Sequence, residues 1–321
     1  MANKVSIITT TYTPDRLNDL KALLDSILNQ NNKNFDVFVV IEGPNELSES
    51  VQQFVREKNC PNVNITNNHE SKGASASRNM ALLQAQGDIV AFVDDDAVLN
   101  YDWVDEIIET FNKDNSVIGV TGPIIPIWEE SSMTWVPPEF YWIFSCTGDA
   151  SKEKMEVRNG YGTNLSFRKE AFHYAGNFDT RLGVMGRGKN GWQEPGGEET
   201  ELSLRITRRT GKRIIFNPKV RVYHKVYKYR IAWKFIIRRA FWEGYFKALL
   251  KRKHREESTG DNVLSTEHNL LRRILFYRIP RSLCLLLRKP GTAIRQLALT
   301  ITVLVCVAAG YCKYQIQSGE K

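Results

Sequence analysis

The stretch Ile89–Ala97, IVAFVDDDA, constrains this chain more than any other. Uncharged, mostly β-branched or aromatic residues run straight into Asp94, Asp95 and Asp96. An apolar run of that length bounded by charge reads as a buried strand, parallel to its neighbours and covered on both faces. Open α/β sheets collect ligands just beyond the carboxyl ends of their strands, where these three carboxylates stand. Like charges about 4 Å apart repel by roughly 4 kcal/mol at an effective dielectric near 20, so the cluster is costly without a cation. Hard divalent ions such as Mg²⁺ or Mn²⁺ take carboxylate oxygens and are commonly shared with phosphates. The alternative is an acidic loop capping the helix that begins near Asp102.

The first half alternates strand and helix around that stretch. VSIITTT and Phe35–Ile41 read as strands, and Leu17, Leu20, Leu24, Ile27 and Leu28 fall at helical spacing between them. A polar helix over about Leu47–Lys58, a short strand at Val63–Thr66 and an Ala-rich helix from Gly73 to Gln86 lead into the aspartates. The rhythm predicts an α/β fold, a mostly parallel Rossmann-like sheet with helices on both faces. The first apolar run reads as a strand, not as a secretory leader. The five cysteines are odd in number and form no CxxC pair, which argues for a reducing compartment.

Charge divides the chain sharply. Residues 1–204 hold 17 Lys+Arg against 30 Asp+Glu, a net of −13, and residues 205–295 hold 25 against 5, a net of +20. A cation-binding domain joined to a segment facing an anionic surface fits this division. Pro123–Asp149 is irregular and aromatic-rich, either a hydrophobic loop on the core or a wall for an acceptor or membrane. Gly183–Gly197 holds six glycines, which suits a mobile lid or an ordinary surface loop. A basic helix follows over about Ile231–Lys253, then LLRRILFYRIPRSLCLLLRKPG, whose arginines alternate with apolar clusters as in an interfacial helix with snorkelling side chains. The uncharged Leu297–Cys312 reaches roughly 24 Å as a helix, short of the ~30 Å hydrocarbon core. It spans with thinning, inserts shallowly, or packs as a buried helix.

TTTYT after the first strand, VVIEGP after the second, KGASASRNMAL, FVDDDA, GTNLSFRKEAF and GGEETELSLRI together resemble family 2 glycosyltransferases with the GT-A fold, over about residues 4–225. The resemblance implies a nucleotide-sugar donor held by Thr10, Thr11 and Tyr12, with Thr13 where Asn is usual. Glu42 would contact the base, commonly uracil, and Arg78 the diphosphate, with Asp94 and Asp95 beside it. Asp94 and Asp96 are the outer positions of a DxD signature, which implies Mn²⁺ or Mg²⁺. Gly162, Asn164 and Arg168 match a segment that lines the acceptor side, and Asn164 is taken with the donor-binding set. The third residue of the Gly-Glu-Asp-x-Asp-Leu motif is the usual base; here that is Glu199, with Glu198 as the alternative. His224 in RVYHKV either joins the metal or is a structural histidine.

No Q-x-x-R-W motif follows Glu199, so transfer of a single sugar is expected rather than processive synthesis. The basic half shows no nucleic-acid module, and its apolar content favours lipid. The expected protein is an inverting, metal-dependent transferase, moving a sugar from a UDP-linked donor to a polyprenyl- or dolichyl-linked acceptor. It resembles, more loosely, archaeal enzymes of the dolichol-linked N-glycosylation pathway. Its expected division is 1–225 catalytic, 226–291 basic and helical, and 292–321 a hydrophobic anchor at the cytoplasmic face of the cell membrane. A nucleotidyltransferase, or a non-catalytic membrane-bound glycan- or lipid-binding scaffold, is the alternative.

Overall fold

The computed structural model describes residues 3–69, 73–149, 151–182, 196–257 and 264–319. They form two compact units: Met1–Pro126 with Thr147–Lys225, and Ile127–Cys146 with Val226–Lys321. The aromatic-rich residues 127–146 thus group with the second unit and not with the sheet that precedes them.

The first unit opens with β1 (Val5–Thr11), α1 (Leu17–Leu28), β2 (Phe35–Ile41), α2 (Asn45–Glu57), β3 (Val63–Asn67), α3 (Ala74–Gln84) and β4 (Ile89–Phe92). There follow β5 (Ala97–Leu99), α4 (Trp103–Lys113), β6 (Val117–Thr121), β7 (Ile124–Trp128), β8 (Met155–Val157), β9 (Leu165–Arg168), α5 (Glu170–Ala175), α6 (Glu198–Thr210), β10 (Arg213–Phe216) and β11 (Val222–Val226). Eight strands make one sheet in the order β3-β2-β1-β4-β9-β6-β10-β8. β1 runs parallel to β2 and β4, β2 to β3, and β6 to β10. β9 lies antiparallel between β4 and β6, and β8 is antiparallel to β10. The βαβ rhythm of the first half does not reveal β9, because a reversed strand enters the middle of the sheet from a distant part of the chain.

Both faces of the central strands are buried, which is why they read as continuous apolar runs. Val5, Ile7, Val37, Val39, Ile89 and Ala91 join Leu20, Leu24, Val51, Trp103 and Ile107 on one face. Ile8, Phe38, Val40, Val90 and Phe92 join Leu82, Phe172, Leu202 and Ile206 on the other. Each fully buried Leu, Ile or Phe contributes about 1.5–3 kcal/mol, so this period-two division fixes the register and holds the strand ends in place.

The second unit contains α7 (Trp233–Glu257), α8 (Ser265–Arg273), a π-helical turn at Ile274–Arg278, α9 (Ile279–Leu285) and α10 (Pro290–Gly319). α7 and α10 pack closely: a Cβ on Gly310 would stand 1.9 Å from the Phe241 carbonyl oxygen, and one on Gly244 2.0 Å from that of Val307. α10 has 30 residues, about 45 Å at 1.5 Å per residue, so the uncharged Leu297–Cys312 is only its middle. It is long and apolar enough to cross a membrane, and a third of its most apolar window is buried. Two arginines expected to snorkel are instead anchored: Arg273 and Arg278 donate to the buried Glu139 carboxylate at 3.1 and 2.9 Å. Five residues apart, they reach one carboxylate through the intervening π turn. Arg272, Arg281 and Arg288 remain exposed.

Candidate active site

Asp94, Asp95 and Asp96 stand at the carboxyl end of β4, where the Val93 N–H donates to the Ile8 carbonyl and aligns the turn with β1. They do not cap α4: Asp95 and Asp96 are buried, and β5 intervenes. β5 pairs antiparallel with β11, setting His224 opposite Ala97. That pairing brings His224 Nε2 to 3.0 Å from Asp96 Oδ1, and the Lys225 N–H donates to the Asp96 carbonyl at 2.9 Å. Candidate ligand atoms of Asp94, Asp96 and His224 all lie within 4.8 Å of one another. Two carboxylates and an imidazole at this spacing fit a divalent ion of the Mn²⁺ type.

Arg16 closes the other side. Thr13 starts the short 3₁₀ turn Pro14–Arg16 by accepting from the Asp15 N–H, which aims Arg16 at the cluster. Its Nη1 lies 2.7 Å from Asp95 Oδ1 and 3.4 Å from Asp96 Oδ2, and its guanidinium lies over the Tyr12 ring. Burial opposes the Arg16 charge, but Asp95 and Asp96 more than offset it and raise its pKa. Burial pushes Asp95 up to about 6; Arg16 pulls against that shift and Asp96 adds to it.

A second carboxylate pair meets the first through Arg78. Gly73, at φ 90° in the region that favours glycine, turns the chain into α3, which carries Arg78 inward. Arg78 Nη1 lies 3.1 Å from both Glu198 Oε1 and Glu199 Oε1, and Nη2 lies 3.3 Å from Asp94 Oδ1. Both glutamates stand in the first turn of α6. Gly162 is a close approach: a Cβ there would stand 2.4 Å from Glu199 Oε1 and 2.5 Å from Arg78 Nη2. Burial pushes Glu199 up to about 7, Glu198 adds to the shift, and Arg78 opposes it. Burial works against the Arg78 charge, but Glu199, Glu198 and Asp94 raise its pKa. Five carboxylates thus meet two guanidinium groups at the mouth of the sheet, so acidic groups outnumber these basic ones. A cation is welcome there, and a carboxylate that titrates near neutrality can take a proton.

Other candidates divide between this cluster and the framework. Thr10 and Thr11 end β1, and the adjoining Tyr12 is half exposed. Glu42 follows β2 and accepts from the Ser77 hydroxyl and, at 3.3 Å, from the Gly73 N–H. Asn164 is committed to the fold: its Oδ1 accepts from Trp103 Nε1 at 3.0 Å, and its Nδ2 donates to the Val220 carbonyl at 2.7 Å. Arg168 donates to the Val117 and Phe111 carbonyls and lies over the Phe111 ring. Arg16 and Thr163, whose hydroxyl donates to Asp94 Oδ2, also meet the aspartates without standing at a fixed position of any motif. The glycine-rich stretch read as a lid lies outside the described residues except for Gly196 and Gly197.

An open, mostly parallel sheet with a metal-capable aspartate cluster at its carboxyl edge defines a GT-A type architecture. The chain belongs to glycosyl transferase family 2, whose profile matches residues 6–175, and it is a glycosyltransferase. A glucosyl-dolichyl phosphate glucuronosyltransferase from Haloferax volcanii is 31% identical over 261 residues, covering 81% of this chain and 81% of the relative. The succinoglycan biosynthesis protein ExoM of Rhizobium meliloti is 27% identical over 58% of this chain and 52% of its own length. Among solved structures, the mannosyltransferase PcManGT from Pyrobaculum calidifontis, in complex with GDP-Man and Mn²⁺, superposes with a TM-score of 0.62 at 18% identity. That likeness covers 95% of this chain and 87% of the other, and it concerns the fold.

Proposed function

We propose that the protein is an inverting, metal-dependent transferase that moves one sugar from a nucleotide-sugar, UDP-linked, to a polyprenyl- or dolichyl-phosphate-linked acceptor. The observation that carries this reading is the double carboxylate cluster bridged by Arg78, with one pair suited to a cation and the other to a proton. Asp94, Asp96 and His224 would hold Mn²⁺ or Mg²⁺. A divalent ion there offsets the charge that develops on the leaving diphosphate. Thr10, Thr11 and Tyr12 would seat the nucleoside, and Glu42 would meet the base after exchanging its bond to Ser77.

Glu199 is the base. Its raised pKa matches the task of taking the acceptor hydroxyl proton near neutral pH. The freed oxygen attacks the anomeric carbon opposite the leaving diphosphate, so the new bond forms with inversion and the proton rests on Glu199. Arg78 keeps Glu199 oriented, and Glu198 keeps it basic.

The acceptor class is supported by the Haloferax volcanii relative, whose name joins glucuronosyl transfer to a dolichyl phosphate. The apolar α10 and the basic segments before it support work at the cytoplasmic membrane face, with residues 1–225 catalytic, 226–291 a basic extension and 292–321 an anchor. A panel of UDP- and GDP-sugars with Mn²⁺ or Mg²⁺ tests the reading. The expected result is metal-dependent donor hydrolysis, and transfer to a short-chain dolichyl phosphate sugar seen by mass spectrometry. Absence of turnover and of thermal stabilisation with every donor would overturn it.

A further inference from the structure

The second unit buries hydrogen-bond donors that find no acceptor among the described residues. Arg238 Nη2 and Trp242 Nε1, both on α7, and Trp142 Nε1, on the 3₁₀ turn Pro138–Phe144, are buried with no partner among the described residues. Arg238 and Trp242 are one helical turn apart and so share a face of α7. α7 packs against the turn that carries Trp142. Neighbouring charges are matched: Glu243 pairs with Arg239 and Lys247, at 3.5 and 3.1 Å. Among the described residues Arg238 has no carboxylate partner, and neither has the exposed Lys234 one turn before it. Arg239 and Lys247 are neutralised, whereas Arg238 Nη2 and two indole N–H groups find no acceptor among the described residues, and buried polar groups are ordinarily satisfied.

All three orphaned groups are donors, so the missing partner is an anion or a group rich in acceptors. Exposed apolar side chains stand on the same helices. Ile237 and Trp233 on α7 are exposed, as are Ile301 and Val305 on α10, which packs along α7. Oxygen acceptors beside an exposed aliphatic surface describe a phosphate that carries a hydrocarbon tail.

We propose that Arg238 and Trp242 on α7, with Trp142 on the turn packed against it, form a subsite for the phosphate group of a membrane lipid. A guanidinium fork holds phosphate oxygens through paired N–H donors, and the indoles add neutral donors that do not compete as cations. The proposal rests on the acceptor reading above only for the choice between a prenyl phosphate and a bilayer phospholipid.

The test uses the full chain in detergent, with thermal stabilisation and native mass spectrometry as readouts. The probes are a C20 prenyl monophosphate, the corresponding prenol without phosphate, phosphatidylglycerol and inorganic phosphate. The phosphate-bearing lipids should stabilise the protein and remain bound in the gas phase, whereas the prenol should not. Trp242→Phe keeps the ring but loses the N–H, and should weaken retention about tenfold. Arg238→Ala should abolish retention, and Arg238→Lys should restore part of it. Preference for prenyl phosphate over phosphatidylglycerol assigns the subsite to the acceptor, and equal retention assigns it to bilayer lipid; either supports the phosphate subsite. Equal stabilisation by the prenol, or undiminished retention in both Arg238→Ala and Trp242→Phe, would overturn it. Donor hydrolysis by the unmodified chain is measured separately, so loss of the transferase reading is distinguishable from loss of the subsite.

Discussion

Glu199 and Asp96 stand in the same charged cluster, and different measurements report on each. Glu199→Gln should lower transfer by about 10²–10⁴-fold, the range for removing a general base, while donor affinity is kept. With the Glu199 pKa near 7, the unprotonated base is present above that value, so kcat/KM should rise with pH through about 7. Glu198 contributes to that elevation, so Glu198→Gln should move the rising limb to lower pH while transfer persists. Loss of transfer in Glu198→Gln with an active Glu199→Gln would move the base by one residue. Asp96→Asn should abolish Mn²⁺ binding, read by calorimetry on the donor-free protein, and full transfer in the presence of chelator would refute the metal assignment. Motif spacing brought Asp94, Asp96, Arg78, Glu199 and His224 into view, and the fold draws them together. Arg16 and Thr163 were not legible that way. Their placement depends on a 3₁₀ turn and on the turn that leads into β9, which set them against Asp95 and Asp94 from 79 and 69 residues away. Asn164 stands at a motif position as well, but in this structure its amide bonds to Trp103 and the Val220 carbonyl.

Elements with uniform burial were the easiest to foresee. β1, β2 and β4 are apolar because both faces are covered, and their carboxyl ends locate the site without knowledge of the rest of the sheet. β9 is four residues long and its polar Ser166 is buried, so neither length nor alternation distinguishes it; only its pairing with β4 and β6 makes it a strand. The extent of α10 was hidden for a similar reason, because Arg295 and Lys313 bound the uncharged stretch without ending the helix. Two glycines test the packing of elements. At Gly162 the atoms met by a Cβ belong to the ends of the Glu199 and Arg78 side chains, which can move. Gly162→Ala should therefore leave the melting temperature within a few degrees yet cut transfer at least tenfold by displacing the base. At Gly310 the obstacle is the Phe241 backbone carbonyl, which cannot rotate aside. Gly310→Val should force α7 and α10 apart and lower the melting temperature in detergent by several degrees, with an unchanged midpoint counting against the crossing.

At the scale of the whole molecule, charge and apolar surface in the second unit make a membrane contact testable. From residue 268 to 319 the chain carries eight Lys or Arg and no Asp or Glu, while Leu271, Leu275, Phe276, Leu283, Leu287, Ile301 and Val305 are exposed. Charge and apolar surface respond differently to salt. Each Lys or Arg near an anionic leaflet contributes about 1 kcal/mol, screened within a Debye length of about 8 Å at physiological ionic strength. Apolar insertion is not screened. Exchanging the exposed Arg272, Arg281, Arg288 and Lys289 for Gln removes about 4 kcal/mol at low salt and little at high salt. Placing Lys at Ile301 and Val305 costs about 2.5–3.5 kcal/mol per residue if that face of α10 meets hydrocarbon. Both positions are exposed, so folding should be little affected. The full chain should float with anionic liposomes at low and high ionic strength. The glutamine variant should bind more weakly at low salt and like the full chain at high salt, and the lysine variant should float at low salt alone. Should the full chain prove soluble without detergent and fail to float at either salt concentration, the exposed face of α10 has some occupant other than lipid, and the membrane assignment is wrong.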